Sequence, residues 1–282
     1  MSTFQQYSSL DIVTDNAKIH SNTWSTGNNE LTTFFSSSTE TLNYATPSSS
    51  GQFFLDVSAT APTATTAVEF SIAYGHKAGS GSRDFSTGTG GTGFSSTKAI
   101  YNQYRQLVYG DSNQEFTFQG VIPDDIYVIN FERARIKQGL KPGSLNLQLT
   151  SGSTVRQRIH LTDDFTTQTG SAVPTALGRQ FNLVSGSNGV MLGTNISQTN
   201  SGSYGFVYPD AGIIILNPSA LKCKIGNLVD PDGTIAQGSE FDITPSASSN
   251  GDGFNTRKLF NAIDKAASFV VDSEETVSSQ YF

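Results

Sequence analysis

Val68-Glu69-Phe70-Ser71-Ile72-Ala73-Tyr74 is the stretch on which the fold class turns. Val68, Phe70, Ile72 and Tyr74 occupy every second position, and successive side chains of a strand point to opposite faces. The spacing predicts a half-buried antiparallel strand with those four residues on one face.

Downstream, Gly75 to Phe94 reads as a long Gly/Ser loop. It feeds a helix over about 96–109, capped by Ser95 or Ser96, with Ile100, Tyr101, Tyr104, Leu107 and Val108 at helical spacing. Gly110 stands where a left-handed C-cap is expected. Phe116–Phe118, Ile126–Phe131 and Leu145–Leu149 then read as strands, with a turn at Lys141-Pro142-Gly143-Ser144 and Arg158–Leu161 as a further candidate. Apolar spacing loosens between Asp164 and Gly189. Tyr204–Tyr208 and Gly212–Leu216 read as two strands around a Pro209-Asp210 turn. A second helix over about 256–271 carries Leu259, Phe260, Ile263, Ala266, Ala267 and Val270 on one side, with Asn255 or Thr256 as cap. Upstream, Phe34-Phe35 and Phe53-Phe54-Leu55 read as pieces of short strands around a Pro47–Gly51 loop. The expected architecture is mainly β: an antiparallel β-sandwich or barrel-like fold with two short helical insertions and long Gly/Ser/Thr-rich loops. It divides into 1–165 and 166–282, or forms one domain.

Composition narrows the function. Only 15% of the 282 residues are charged, while 11% are aromatic, including nineteen Phe and ten Tyr. So many large apolar groups predict a folded chain, not a disordered linker. A net charge of −7 argues against nucleic acid as the main partner, because phosphate binding needs clustered cations. A single cysteine, Cys223, excludes an intrachain disulfide. Met1 to Leu10 is polar, so no secretory leader is expected there, and the longest apolar run, Ile213–Leu216, is far short of a membrane span.

Motifs with chemical meaning are weak. Gly88-Thr89-Gly90-Gly91-Thr92-Gly93 matches a dinucleotide fingerprint in letters but lacks the buried strand that must precede it. His20, His76 and His160 are too dispersed for a local metal motif. Asp124-Asp125 and Asp163-Asp164 sit at predicted turns, and adjacent carboxylates do not face each other across a cleft as glycoside hydrolysis requires. Asp230–Gly233 and Asn250–Gly253 are fragments of calcium-loop spacing without the distal Glu. No catalytic residue, metal or cofactor is expected. On a strand, Arg133, Arg135 and Lys137 would share one face, which suits a partner's acidic patch, a nucleic acid or plain solvent.

Three stretches carry a family likeness: Ile72–His76, Thr97–Arg105, and Ile126–Asn130 continuing through Arg133-Ala134-Arg135 to Leu140–Leu145. With Asp163-Asp164 and the ending from Ser273 to Phe282, this resembles the VrlC-like virion structural proteins of T4-like cyanophages and related marine myoviruses. The likeness spans about residues 70 to 165 and the last dozen. It implies a virion part at the tail or baseplate, assembled in the host cytoplasm, without catalytic residues or cofactor. Its partners would be other tail and baseplate proteins, in multiple copies of a symmetric assembly. Interface candidates are Arg133, Arg135 and Lys137, with Tyr101 and Tyr104 of the first helix, the Gly75–Phe94 loop and the second helix. The alternative is a carbohydrate-binding or adhesion module, for which Tyr204, Phe206 and Tyr208 would supply an aromatic platform.

Overall fold

The structure is a computed structural model that describes residues 13–36, 54–80, 96–111, 113–150, 158–166, 173–191, 197–198, 202–222, 228–229, 235–236 and 254–281. Strands of four or more residues are β1 Val13–Asn22, β2 Phe54–Ser58, β3 Val68–His76, β4 Asp125–Phe131, β5 Asn146–Thr150, β6 Arg158–Asp163, β7 Gly178–Ser187, β8 Gly205–Tyr208, β9 Ile213–Leu216 and β10 Asp272–Tyr281. The helices are α1 Ser96–Tyr109 and α2 Phe254–Ala266. One large, curled antiparallel sheet runs in the order Glu30–Leu31, Phe269–Val270, β5, β6, β7, β8, β9, β4, β3, β2, Phe35–Ser36. Segments on either side of residue 165 are neighbours in it, β6 beside β7 and β9 beside β4, so both halves of the chain share one sheet. A second sheet joins β1, β10 and Gly139–Leu140.

The pleat of the large sheet separates two cores. On one face lie Leu55 and Val57 of β2, Phe70, Ile72 and Tyr74 of β3, Tyr127, Ile129 and Phe131 of β4, and Ile214 and Leu216 of β9, closed over by α2 through Leu259, Phe260 and Ile263. Trp24, Phe34, Phe70, Phe131 and Phe269 form an aromatic cluster there, with Trp24 and Phe269 ring centroids 5.1 Å apart. On the opposite face, Ala73, Ile126, Val128, Phe206, Tyr208, Ile213 and Ile215 are covered by α1 and by Phe116 and Phe118. Each fully buried Ile, Leu or Phe contributes roughly 1.5–3 kcal/mol of transfer free energy, so the two cores dominate the fold. α1 rests directly on β3 at Gly75, where an added Cβ would lie 2.9 Å from the Tyr101 nitrogen. Gly110 has φ +69° and closes α1 as its C-cap, its N–H donating to the Gln106 carbonyl.

Several expectations change. Val68 does not share the face of Phe70, because the register shifts between Val57 and Ser58. The irregularity turns Glu69 inward to zero exposure, where its carboxylate accepts the Ser25 N–H at 3.0 Å and the Ser25 hydroxyl. α2 ends at Ala266, short of 271, since Ala267 adopts φ +53° and Phe269–Val270 joins the sheet. Asn255 and Thr256 lie inside α2 and not at its cap. Phe116–Phe118 is not a strand; Phe118 makes one isolated bridge to Val121 around Gln119 and Gly120, both at positive φ. The loosely patterned 164–189 region contains the ten-residue β7. The fingerprint-like Gly88–Gly93, Cys223, Asp230–Gly233 and Asn250–Gly253 lie outside the described residues.

Candidate assembly surface

The feature that the body of the fold does not absorb is the β1–β10 ribbon. Its ten pairs run from Val13 opposite Tyr281 to Asn22 opposite Asp272. Every residue of β1 except Ser21 is exposed, as is Thr276–Gln280 of β10. Val13, Ile19 and Val277 are 62%, 45% and 39% exposed, so apolar side chains stand in solvent on the ribbon.

Hydrogen-bond parity shows which way the main-chain groups of each ribbon residue face. The carbonyl of Asp272 accepts from Lys141 N–H at 2.7 Å, and that of Glu274 from Gln138 N–H at 3.2 Å. The Gln138 side chain then imitates one more strand residue. Its Oε1 accepts the Thr276 N–H at 2.9 Å, and its Nε2 donates to the Thr276 carbonyl at 3.3 Å. Even-numbered residues of β10 therefore turn their main-chain groups toward Gly139–Leu140, and odd-numbered ones face β1. Past Thr276, Ser278 and Gln280 point along that same edge, where no strand among the described residues lies opposite. By the same alternation Thr14, Asn16, Lys18 and His20 point outward from β1, whose far edge also has no described neighbour.

The inner end of the ribbon is anchored. Ser21 and Ser273 hydroxyls are 2.8 Å apart, and Trp24 follows β1 into the aromatic cluster, its Nε1 donating to the Asn29 carbonyl. Four cations meet the acidic start of β10. Lys18 and Arg179 lie 3.4 and 2.8 Å from Glu274, Lys137 lies 3.3 Å from Glu275, and Lys141 lies 4.0 Å from Asp272. Arg179 also grips Asp210 of the β8–β9 turn at 2.6 Å. The Asp210 hydrogen bond raises the Arg179 guanidinium further. Burial works to raise the Asp210 carboxyl, but the Arg179 contacts outweigh it and hold that carboxyl below its ordinary range. The partly exposed Lys137–Glu275 and Lys141–Asp272 pairs are worth roughly 0–1 kcal/mol each, so they orient the ribbon more than they stabilise it, while Glu274 is itself buried between Lys18 and Arg179.

The sequence-predicted residues fall elsewhere than expected. Arg133, Arg135 and Lys137 lie on the turn after β4, not on a strand. Arg133 donates to the carbonyls of its own turn, Ile136 and Lys137, while Lys137 reaches Glu275 of the ribbon. Tyr101 is wholly buried against Phe116, beneath the Arg105 guanidinium, and belongs to the core under α1. Tyr104 is buried at the edge of that core. Tyr204, Phe206 and Tyr208 are 3%, 6% and 0% exposed, which removes the aromatic platform expected of them. Asp124 pairs with Lys77 at 2.6 Å, and Asp163 is buried in the sheet. His20, His76 and His160 sit on β1, β3 and β6, and no group of three metal-ligating side chains forms among the described residues. No helix among them is long and apolar enough to cross a membrane. The ribbon itself went unread in the sequence; its only signal is the shared parity of Val13, Ala17 and Ile19.

No protein-family model, curated protein or solved structure matches the chain.

Proposed function

We propose that this chain is a non-enzymatic structural subunit of a phage tail or baseplate, joining its neighbours by strand addition along the β1–β10 ribbon. The observation that carries the reading is that, among the described residues, no strand lies beside the outer edge of β1 or beside β10 past Thr276, combined with side chains exposed on both faces. A two-stranded ribbon is marginal alone in water, and unpaired N–H and C=O groups are a template for another strand. The family likeness of the sequence points the same way; two of its stretches lie in β3 and β4, the strands whose Phe70 and Phe131 pack against Trp24 at the ribbon's anchored end. Lys18 on the outer edge of β1 is the counterweight, since an edge lysine discourages pairing; its ammonium is drawn to Glu274, near the anchored end.

Cryo-electron microscopy of the intact particle tests the proposal. The expected result is this chain in the tail or baseplate, with a neighbour's strand beside Thr14–Lys18 or Ser278–Gln280. Purified virions without the protein would overturn it.

A further inference from the structure

β7 runs into a tight hairpin, with Gly186 opposite Met191 and Ser187 opposite Val190. Asn188 and Gly189 are its central residues, at φ +52° and +70°, the left-handed pair that a two-residue hairpin turn uses. Among the described residues, Asn188 is the one asparagine followed by glycine. That order matters chemically. The main-chain nitrogen after an asparagine can attack its side-chain carbonyl, and glycine has no Cβ to obstruct the approach. Asn188 is exposed, so water and hydroxide reach its carboxamide.

Three contacts hold the reacting groups in place. The Gly189 N–H donates to the Thr162 hydroxyl of β6 at 2.8 Å, and Gly189 is itself buried. The Asn188 carboxamide oxygen accepts the side-chain N–H of Asn146 on β5 at 2.7 Å, while the Asn188 main-chain N–H donates to the Asn146 carboxamide oxygen. The N–H that Asn146 supplies is one that water would otherwise supply, so what it adds is restraint. Behind the turn, a Cβ on Gly189 would lie 2.8 Å from the Gly143 Cα, so the backbone cannot swing that way.

The reaction these contacts oppose is loss of ammonia. The Gly189 nitrogen gives its proton to hydroxide and attacks the Asn188 Cγ. The N–Cγ bond forms, the Cγ–Nδ2 bond breaks, and the leaving nitrogen takes a proton from water to depart as ammonia. Water then opens the cyclic imide at either carbonyl, leaving aspartate or isoaspartate. In the folded hairpin, burial penalises the amide anion, and Thr162 holds the proton that must be lost. We infer that Asn188 is a site of spontaneous conversion to aspartate and isoaspartate, opened when the hairpin separates locally from β5 and β6 and set in rate by Thr162. Such local openings cost less than global unfolding. Either product puts a carboxylate beside Asn146, and isoaspartate lengthens the main chain within the turn, which breaks the register of Ser187 with Val190. The inference rests on this hairpin and is independent of the assembly reading.

Peptide mapping by mass spectrometry, with enzymatic isoaspartate labelling, tests it on the full chain kept in mildly alkaline buffer. Conversion at Asn188 should be at least about tenfold slower in the folded chain than in the same chain unfolded in urea. Thr162→Val removes the acceptor and should raise the folded rate about tenfold, the equivalent of one hydrogen bond, whereas Thr162→Ser keeps the acceptor and the slow rate. Asn146→Ala, which frees the carboxamide without touching the core, should raise it severalfold and serves if Thr162→Val does not fold. Amide exchange in β3 and β4 should be unchanged in these variants. Equal rates in folded and unfolded chain would overturn the inference, as would no conversion in urea. So would folded rates that Thr162→Val and Asn146→Ala both leave unaltered, or a rise that tracks faster exchange throughout β3 and β4.

Discussion

The β3–β4 pair and the β1–β10 ribbon are both long antiparallel ladders, yet their side chains live in opposite surroundings. β3 and β4 are buried on both faces over most of their length, with Phe70, Ile72, Tyr127 and Ile129 in one core and Ala73 and Val128 in the other. The ribbon is solvated on both faces over most of its length. Backbone pairing is common to the two, so what differs is the burial that stabilises it. Net backbone hydrogen bonding contributes modestly per bond, whereas apolar burial supplies the larger share. The central pair is held by its own contacts; the ribbon is held by the anchor at its inner end.

The largest break in this comparison is in the centre. Phe70→Ala would empty the middle of the aromatic cluster, where Phe70 meets Trp24, Phe34, Phe131 and Phe269. A loss of about 3–5 kcal/mol is expected in urea unfolding, the cost of a Phe-sized deletion in a packed core. A loss below about 1 kcal/mol would mean the cluster is loosely packed.

The next effect is electrostatic. Asp163 of β6 accepts N–H groups of Gly143 and Phe165, but burial dominates and pushes its carboxyl up to about 6. The folded chain therefore holds this proton more tightly than the unfolded chain does. Its contribution to stability is fully present below about pH 4 and is lost as pH rises through 6. The expected difference between pH 4 and pH 7 is at most about 3 kcal/mol, since each tenfold gain in proton affinity is worth about 1.4 kcal/mol. Asp163→Asn should remove this slope from the unfolding profile; an identical slope in the variant would assign it to other groups.

The smallest effect for the isolated chain belongs to the ribbon, and it sharpens the contrast. Proline at Ser278 deletes an N–H on the open edge and should change stability by less than about 1 kcal/mol. Proline at Ser279 deletes one facing β1 and should release the ribbon's outer end, read as faster hydrogen exchange over Val13–Ala17. In particles the order reverses for assembly: Ser278→Pro should lower incorporation although the chain is folded. Equal exchange in the two variants would refute the edge assignment.

The same contrast explains what was legible in the sequence. β3, α1 and β9 were readable because burial on a defined face imposes a period on the apolar residues, and Gly110 marks the end of α1 by a conformation that glycine favours. β1 and β10 were not, because a strand solvated on both sides has no face to encode, and Thr, Ser, Asn and Asp serve there as well as in a loop. Glu69 defeats alternation for a different reason. The shift at Val57/Ser58 turns a carboxylate inward, and Ser25, 44 residues away, completes its bonding. Arg133, Arg135 and Lys137 suggested a strand by spacing alone, but the ladder ends at Phe131. The polar row of Asp56, Ser71 and Asn130 was invisible, since it forms only through the register of β2, β3 and β4.

One property of the ribbon concerns time. Lys18 and Glu274 are separated by 256 positions, so β1 and β10 meet only across nearly the whole described chain. Such contacts carry the greatest loop-closure entropy and form late, after local pairs such as β3–β2 and β8–β9 have shortened the path between them. The edges available to a neighbour thus come into being only on a body already built. On the proposed reading, a chain still folding offers no edge for strand addition, and the order of construction is written into the distance between two strands.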